Sequence, residues 1–468
     1  MAVILAAGLL SAPSTPAMAQ DEAAVAAMRD EIARLRAQVA ALEERLDLMA
    51  AEGSKTGSTP PSAPLSSSLA ASQPAPAHVA SAAGNAQAPA QAQALAVPAA
   101  SPPAPTPASG FTLKQRGRLQ FDGNIVSRPA GMTEPTLGWS ADVRRAFLGV
   151  EGSLGGGLGY RFEMDFASGD PLFTDLWLTY KKGSWTVTLG HDRMTTLEDL
   201  TSDLQTSFLE RSGFIQAFGF ERRLGLSAAY KDSDVVLSAG IYSDDLETLG
   251  SGVADNSYAV DTRWVYMPKL GKVQLHLGGS LHHRELNDLA DSLRYRARPG
   301  ARTTSVRFVD TGSFSASAET GYGLEFAALR GPFHVAAESY WQNVDRPNLA
   351  DPTFFGIYGE IGYVFAGGEA RGYRAGSFSS IKPTKGIDKG GAGAWQVNLR
   401  YDWLDLNDAG VRGGEQAIAG LSLIWVPLEH VKFMANYLHV DVRDTPILSD
   451  GRDDYDADVF GLRAQYDF

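Results

Sequence analysis

The sequence contains no cysteine and no long apolar run. The absence of cysteine from 468 residues excludes disulfide bonds, thiolate metal sites and a lipoprotein anchor, and it suits an exported bacterial protein. No apolar run reaches the roughly 20 residues that a membrane-spanning helix needs. If the chain spans a membrane, it must therefore do so with strands. Net positive charge is also lacking, because the formal charge of -13 argues against a nucleic-acid binder.

The first 19 residues have the features of a secretory signal peptide. Residues 3–10 form an apolar core, and Ala17, Met18 and Ala19 fit the small-residue cleavage rule, although no Lys or Arg precedes the core. A buried N-terminal helix is the alternative, but Pro13 and Pro16 would break it. We therefore expect residues 1–19 to be a signal peptide.

Residues 20–52 are expected to form a short α-helical coiled coil. Their apolar residues repeat at alternating spacings of three and four, at Val25, Met28, Ile32, Leu35, Val39, Leu42, Leu46 and Met49. The alternative is an amphipathic helix packed on a domain, but the narrow apolar stripe favours self-association. Residues 53–110 are mostly Ala, Pro, Ser and Gln, and cannot bury a core, so we expect a disordered Pro/Ala/Ser linker.

From residue 111 onward the sequence pattern predicts β-strands. The last nine residues place apolar side chains at Phe460, Leu462, Ala464, Tyr466 and Phe468, with polar or small residues between them. A closed barrel gives such a stripe a place against lipid and pairs both strand edges. The fold class is therefore all-β, a 16-stranded antiparallel transmembrane β-barrel over residues 111–468. The predicted strands are 113–127, 142–154, 157–166, 172–181, 184–191, 220–230, 233–242, 256–267, 272–285, 319–330, 333–344, 354–366, 393–406, 416–426, 431–442 and 456–468.

Strand length and aromatic placement favour a membrane barrel over a soluble sandwich. The strands run near ten residues or more, with Trp and Tyr at their ends, as in a lipid-facing band with aromatic girdles. Three connections are unusually long: 191–219, 286–318 and 367–392. The last falls on the periplasmic side, where short turns are the rule. Long loops without regular structure are usually functional, so we expect all three to fold into the lumen and narrow it.

Several motifs resemble one known family. They are residues 116–122 (RGRLQFD), 144–146 (RRA), 208–212 (FLERS), 218–226 (FGFERRLGL), 331–333 (GPF) with Glu338, 368–373 (GEARGY), 391–395 (GAGAW) with Arg400 and Tyr401, and Asn436 with Tyr437. Together they resemble the phosphate-selective porin O/P family. The resemblance implies a trimeric 16-stranded porin, often with an N-terminal coiled coil, whose constriction is lined by Arg and Lys. Arg118, Arg144 and Arg145 of this chain lie in motifs that match the constriction arginines of that family.

The alternation of each strand predicts which cations face the pore. Arginine suits phosphate because its planar fork offers two parallel hydrogen bonds and keeps its charge. By alternation the pore-lining candidates are Lys114, Arg116, Arg118, Arg145, Arg161, Arg223, Arg263 and Arg400. The resemblance adds Arg144, and the long connection 191–219 adds Arg193 and Arg211. A basic external funnel is expected from Arg294, Arg296, Arg298, Arg302 and Arg307.

The inward carboxylates leave a second interpretation open. An inward Arg often pairs with a facing acid, and by alternation Glu151, Glu163, Asp165, Asp175, Glu221, Asp261, Glu325, Glu338, Glu360 and Asp402 also point inward. The pore is then a weakly selective diffusion porin. The external arginines are alternatively a site for lipopolysaccharide phosphates.

We therefore expect a homotrimeric porin in the outer membrane of a Gram-negative bacterium, in contact with lipid and lipopolysaccharide. We expect it to pass small anions, with phosphate or polyphosphate as the leading candidate. The coiled coil would lie in the periplasm. A rival hypothesis makes the barrel an anchor and the coiled coil the working part, binding peptidoglycan or a periplasmic partner. No catalytic set, cofactor or metal site is indicated, and nucleic acid is not an expected partner.

Overall fold

The computed structural model describes residues 110–193, 200, 204–219, 222–246, 257–286 and 292–468. The signal peptide, the coiled coil and all but the last residue of the linker lie outside the described residues. So does Glu221, which was expected to face the lumen.

Sixteen long antiparallel strands form a closed barrel. They are β1 (Phe111–Val126), β2 (Gly138–Gly155), β3 (Leu158–Asp165), β4 (Leu172–Lys182), β5 (Trp185–Arg193), β6 (Arg222–Lys231), β7 (Val235–Tyr242), β8 (Tyr258–Tyr266), β10 (Val273–Glu285), β15 (Ala318–Arg330), β16 (Phe333–Asp345), β17 (Thr353–Ala366), β20 (Ala394–Asp408), β21 (Val411–Leu428), β22 (Val431–Arg443) and β23 (Tyr455–Asp467). Successive barrel strands pair with each other, and β1 also pairs with β23. This closure leaves no free strand edge.

The remaining elements are short. They are β9 (Lys269–Leu270), β11 (Ser292–Leu293), β12 (Arg296–Ala297), β13 (Val309–Asp310), β14 (Phe314–Ser315), β18 (Arg371–Arg374), β19 (Ser377–Ile381), helix α1 (Gly213–Ala217) and a 3₁₀ turn at Ile387–Lys389. In the described part of the chain, no helix combines the length and the apolar character needed to cross a membrane.

The predicted strand number and order are confirmed, and most strand ends differ by only one or two residues. The largest error is in β21, which begins at Val411 rather than residue 416. Gly413 and Gly414 look like turn residues in the sequence, yet the amides of both donate to the side chain of Asn407 across the hairpin. This side chain holds the glycines in the strand, which therefore extends beyond the apolar band.

The barrel wall is apolar outside and polar inside. Leu399, Leu421 and Tyr437 stand side by side on the exterior, whereas Asn398, Ser422 and Asn436 alternate with them and are buried inside. At the C-terminal rim, where β23 ends, the rings of Trp395 and Trp425 stack at 5.4 Å. Nearer the opposite rim, Trp341, Phe355 and Trp403 form a second aromatic row. These are the girdles expected at two membrane interfaces.

Two long connections fill one side of the interior. Phe208 and Phe214 from segment 204–219, and Tyr295 and Phe308 from segment 292–317, are buried in one apolar cluster. The cluster includes inward side chains of β16, β17 and β20–β22, such as Tyr340 and Leu438. By contrast, the inward side chains of β2, β3 and β6 are mainly half-buried. The open passage therefore runs along the wall that these strands form.

Charging the exterior at mid-band should destabilise the barrel. We expect Leu421→Arg to cost about 2–4 kcal/mol, because a cation at the bilayer midplane loses its hydration. The measurement is equilibrium unfolding in lipid vesicles by guanidinium. The matched control is Leu270→Arg, which changes an exposed leucine at the C-terminal rim and should cost about 0–1 kcal/mol. Equal costs at the two positions would contradict a lipid-facing exterior.

Candidate pore constriction

A β-bulge in β2 turns two consecutive arginines toward the interior. Gln120 of β1 pairs with Arg145, but the next residue, Phe121, pairs with Val143, so Arg144 is the extra residue. In a regular strand, neighbours point to opposite faces, and a bulge re-aims one of them. Arg145 donates to the Gln120 side chain at 2.9 Å, and Arg144 donates to Glu210. Strict alternation predicted an inward Arg145, and the bulge adds Arg144.

These two arginines meet segment 204–219 across a small cavity. Arg144 and Arg145 line one side, and Glu210 and Arg211 line the other. The cavity has a volume of about 140 Å³. The barrel therefore brings together three of the arginines singled out from the sequence, although they come from two different parts of the chain.

Glu210 holds the arginines in place. Its two carboxylate oxygens accept from Arg144 at 2.7 and 3.1 Å, and Arg463 lies 3.3 Å from one of them. Burial opposes the charge of this carboxyl group, but Arg144, Arg463 and Arg145 outweigh it and lower its pKa to about 2. Glu210 is therefore ionised at any physiological pH.

The position of segment 204–219 is fixed by contacts with the opposite wall. Arg400 donates twice to the backbone carbonyl of Glu210 at 3.1 Å, and Asp402 accepts from the amide of Gly213. Lys432 donates to the carbonyl of Leu204 at 2.7 Å. On β17, Gly356 makes room for the segment, because a Cβ atom there would overlap the Phe214 side chain.

Arg463 and Lys432 were missed as site residues in the sequence. Arg463 forms a bidentate ion pair with Asp122, with both distances 2.6 Å. Gln465 lies between Lys432 and Gln120 in the strand register and accepts a hydrogen bond from Gln120 at 2.6 Å. The alternation of the last strand already places Arg463 on the polar face, and alternation in β22 does the same for Lys432.

Arg371 was also missed, although it lies in a quoted motif. It belongs to the β18–β19 hairpin, within the long connection at the C-terminal rim, and reaches Ser207 at 2.7 Å and Glu360 at 3.2 Å. Arg263 donates to the carbonyl of Gly376 in the same hairpin. Parts of all three long connections therefore lie inside the barrel, as their lengths predict.

Other candidates lie in charge-balanced pairs away from the cavity. Arg116 contacts Glu151 and Glu163, both at 2.6 Å, and Arg161 contacts Glu151 and Asp175. Arg222 also donates to Asp175, at 2.7 Å. We call these six residues, three arginines and three carboxylates, the ion-pair belt. The alternation of acids and arginines limits the net field that this belt can exert.

The remaining inward candidates have individual surroundings. Arg223 lies 3.3 Å from Asp244, and Arg263 forms a bidentate pair with Glu325. Arg118 packs over the ring of Phe147 at 5.2 Å. Lys114 is exposed near the C-terminal rim, and Arg193 is the half-buried last residue of β5.

The five arginines of segment 292–317 do not act as one exposed group. Arg294 is paired with Asp310, and Arg307 donates to the carbonyl of Ser305. Arg298 is half-buried and donates to the carbonyl of Thr304; burial, then Arg307 and Arg302, lower its pKa to about 10. The pKa of Arg298 also responds to Glu210 and Arg144, so this side chain adds positive charge on the approach to the cavity. Arg296 and Arg302 are exposed.

Guanidinium groups on two sides of a small cavity can replace the hydration of an anion. Arg144 is oriented by Glu210 and Arg145 by Gln120, so their donors are already positioned. Such an arrangement can act by charge and hydrogen bonding.

Comparison with known proteins identifies the family. The model of the family described as phosphate-selective porin O and P matches residues 113–468. The chain is 42% identical over 480 residues to an uncharacterized protein of Caulobacter vibrioides, covering 100% of this chain and 96% of the relative. It is 27% identical over 405 residues to Porin O of Pseudomonas aeruginosa, covering 76% of this chain and 89% of that protein.

A solved barrel shares the fold. A loop L8 deletion mutant of OmpT, an outer membrane protein of Vibrio cholerae, superposes with a TM-score of 0.50 at 13% identity, over 76% of this chain and 99% of that one. The family match and the closed barrel together point to an outer-membrane channel rather than an enzyme. The chain belongs to the phosphate-selective porin O and P family.

Proposed function

We propose that this protein is a homotrimeric porin that passes small anions by diffusion, with phosphate or polyphosphate as the preferred solute. The constriction is the cavity between Arg144, Arg145 and Arg211. The solute class is proposed from this chemistry and from the description of the family. The trimer is proposed from the resemblance to family members.

The bulge at Arg144 is the observation that carries the proposal. It doubles the inward positive charge at one level of β2, opposite a loop that supplies Arg211. Arg298, Arg400 and Arg463 add charge around the same loop, so cations outnumber acids there. An anion that enters loses water but gains guanidinium donors.

Glu210 keeps the site from binding too tightly. Its carboxylate already occupies one face of Arg144, so an anion competes with it rather than meeting a bare cation. Conduction needs sites that an ion can also leave. The proposed constriction therefore combines fixed donors with moderate affinity.

The ion-pair belt favours a second candidate function, a weakly selective diffusion porin. Arg116 and Arg161 are bound to Glu151, Glu163 and Asp175, and they offer an anion little net charge. If the belt limits the current, chloride and potassium would pass at similar rates.

Reversal potentials in planar bilayers separate the two functions. In a KCl gradient we expect a reversal potential of the same sign as the chloride equilibrium potential. We also expect the chloride current to decrease when phosphate is added. A potential near zero with no effect of phosphate would support the weakly selective pore. A potential of the opposite sign would exclude an anion channel.

Removing a donor from the cavity should weaken the effect of phosphate. We expect Arg145→Ala to raise the phosphate concentration needed for half-block about tenfold, since a charge-assisted hydrogen bond contributes about 1.5 kcal/mol. The matched control is Arg161→Gln in the ion-pair belt, which should leave the half-block concentration within about twofold. The measurement is chloride conductance titrated with phosphate. A larger effect at Arg161 than at Arg145 would place the constriction elsewhere.

Chloride selectivity should not depend on pH between 5 and 8. Glu210 has its pKa lowered to about 2 and Arg298 has its pKa lowered to about 10, so both keep their charges over this range. The stabilisation from the contact of Glu210 with Arg144 is complete above the ordinary carboxyl pKa and is lost only as pH falls through about 2. Reversal potentials at several pH values check this. A loss of selectivity between pH 5 and 8 would assign the control to another group that titrates in this range, a histidine or one of the buried residues Asp402 and Lys432 that hold segment 204–219.

We further propose that residues 20–52 form a periplasmic coiled coil, joined to the barrel by the linker of residues 53–110. Every residue assigned here to the constriction lies in the barrel. Deletion of residues 21–110 is therefore expected to leave single-channel conductance and reversal potential unchanged. Loss of envelope integrity with unchanged conductance would show that the N-terminal segment acts in tethering, and a changed reversal potential would contradict the assignment of selectivity to the barrel.

A further inference from the structure

The exterior of the barrel is not uniformly apolar. Away from the C-terminal rim, the aromatic row of Trp341, Phe355 and Trp403 stops at β21. Where the strand register would continue it, the outward residues are Ala417 and then Asp441. The adjoining strands β21–β23 therefore lack an aromatic girdle at this level.

Ionisable side chains take its place on β22 and β23. His439 and the hydroxyl of Tyr437 both contact Asp458, at 3.0 and 2.8 Å, and Arg443 contacts Asp441 at 2.9 Å. His439 lies six residues beyond Phe433, which belongs to the girdle at the C-terminal rim. Along a tilted strand this is about 15 Å, within an apolar band about 25 Å tall. His439 and Asp458 are too deep to be explained by the water interface alone, whereas Asp441 and Arg443 lie at the level of the aromatic row or beyond it.

The same surface contains a recess. Its floor is formed by Ala417 and Ala419, and its sides by Tyr401, Trp403 and His439. Its volume is about 260 Å³. An apolar cavity of roughly 150 Å³ accepts a benzene ring, so this recess has room for one large aromatic side chain.

A complementary feature lies on the neighbouring part of the wall. Trp139 on β2 is 66% exposed, the highest value among the large apolar side chains of the described residues. The exposed Arg128 donates to the carbonyl of Leu137, two residues before Trp139. An exposed aromatic ring therefore stands at the start of β2, and an aromatic recess with acids at its edge stands on β20–β22. Arg128, in the β1–β2 connection, already borders a cavity that Asp441 of the same chain also lines.

We propose that the recess receives the Trp139 side chain of a second copy of this chain. The two surfaces differ, so the contact is heterologous and closes into a ring by rotation. In the ring, the ionisable groups of β22 and β23 face protein instead of acyl chains. This inference rests on the proposed trimer and adds which surfaces meet.

Lipopolysaccharide is the competing occupant. The rim of the recess carries Glu415 and Asp441 against the single Arg443. Phosphate groups of a lipid would be repelled by such a rim, whereas the indole of Trp139 is neutral and fits a recess lined by Tyr401 and Trp403. Charge therefore favours the protein partner.

Cross-linking tests the contact directly, because the chain contains no native cysteine. The double variant Trp139→Cys with Ala419→Cys is treated in outer membranes with a short bismaleimide, which spans the depth that the indole leaves between the two backbones, and is separated by denaturing electrophoresis. The proposal predicts covalent dimers and closed trimers. Each single variant, and Trp139→Cys combined with Leu237→Cys on the exterior of β7, should stay uncross-linked. Absence of covalent oligomers from the first pair, whether the protein is then found trimeric or monomeric, would overturn the inference.

A second variant tests the same contact without a cross-link. Ala419→Trp fills the recess and should convert the trimer to folded monomers, seen by light scattering, with heat-modifiable migration showing that the barrel is intact. An unchanged trimer, or release of bound lipopolysaccharide from an unchanged trimer, would contradict the inference. Reversal potential is measured on the same variant. Anion selectivity is proposed to arise within one barrel. A reversal potential that shows no anion selectivity would therefore contradict the proposed function, and would leave the proposed interface unaffected.

Discussion

Backbone hydrogen bonding in lipid constrains everything else in this molecule. No water is available in a bilayer core to satisfy an open strand edge, so the sheet must close. Closure occurs where β1 pairs with β23, from Arg118 opposite Asp467 to Val126 opposite Val459. Once that register is set, alternate side chains are committed to lipid or to the lumen. The polar interior, and with it the possibility of a pore, follows from this one pairing.

The proposed constriction depends on asymmetry inside the closed barrel. Apolar side chains of segments 204–219 and 292–317 pack on the inner wall of β16–β22, and Arg400 and Lys432 hold the first segment by its carbonyl groups. This packing pushes Arg211 toward β2. The bulge then presents Arg144 and Arg145 to the same cavity. Anion selectivity would thus depend on the position of the space that apolar packing leaves open, as well as on the charges that line it.

The sequence predicted the fold well because period-two alternation is a local signal. It also predicted that the long connections enter the lumen and that Arg145 points inward. It did not predict the bulge at Arg144, since one extra residue leaves no trace in a pattern whose neighbours are also polar. Nor did it predict which acid holds which arginine. The pairs Arg463–Asp122 and Arg144–Glu210 join residues far apart in the chain, and their register is set only by closure.

Positive charge at the cavity is only partly offset by one well-held carboxylate, while the ion-pair belt nearer the C-terminal rim is close to neutral. Anion recognition is therefore proposed at a single level of the pore, that of the cavity. Anomalous diffraction from crystals soaked in arsenate, a heavier analogue of phosphate, tests this assignment most directly. We expect an anomalous arsenic peak whose arsenate oxygens lie within hydrogen-bonding distance of Arg145 and Arg211. No peak there, with rubidium instead bound beside Glu210 in a parallel soak, would contradict it.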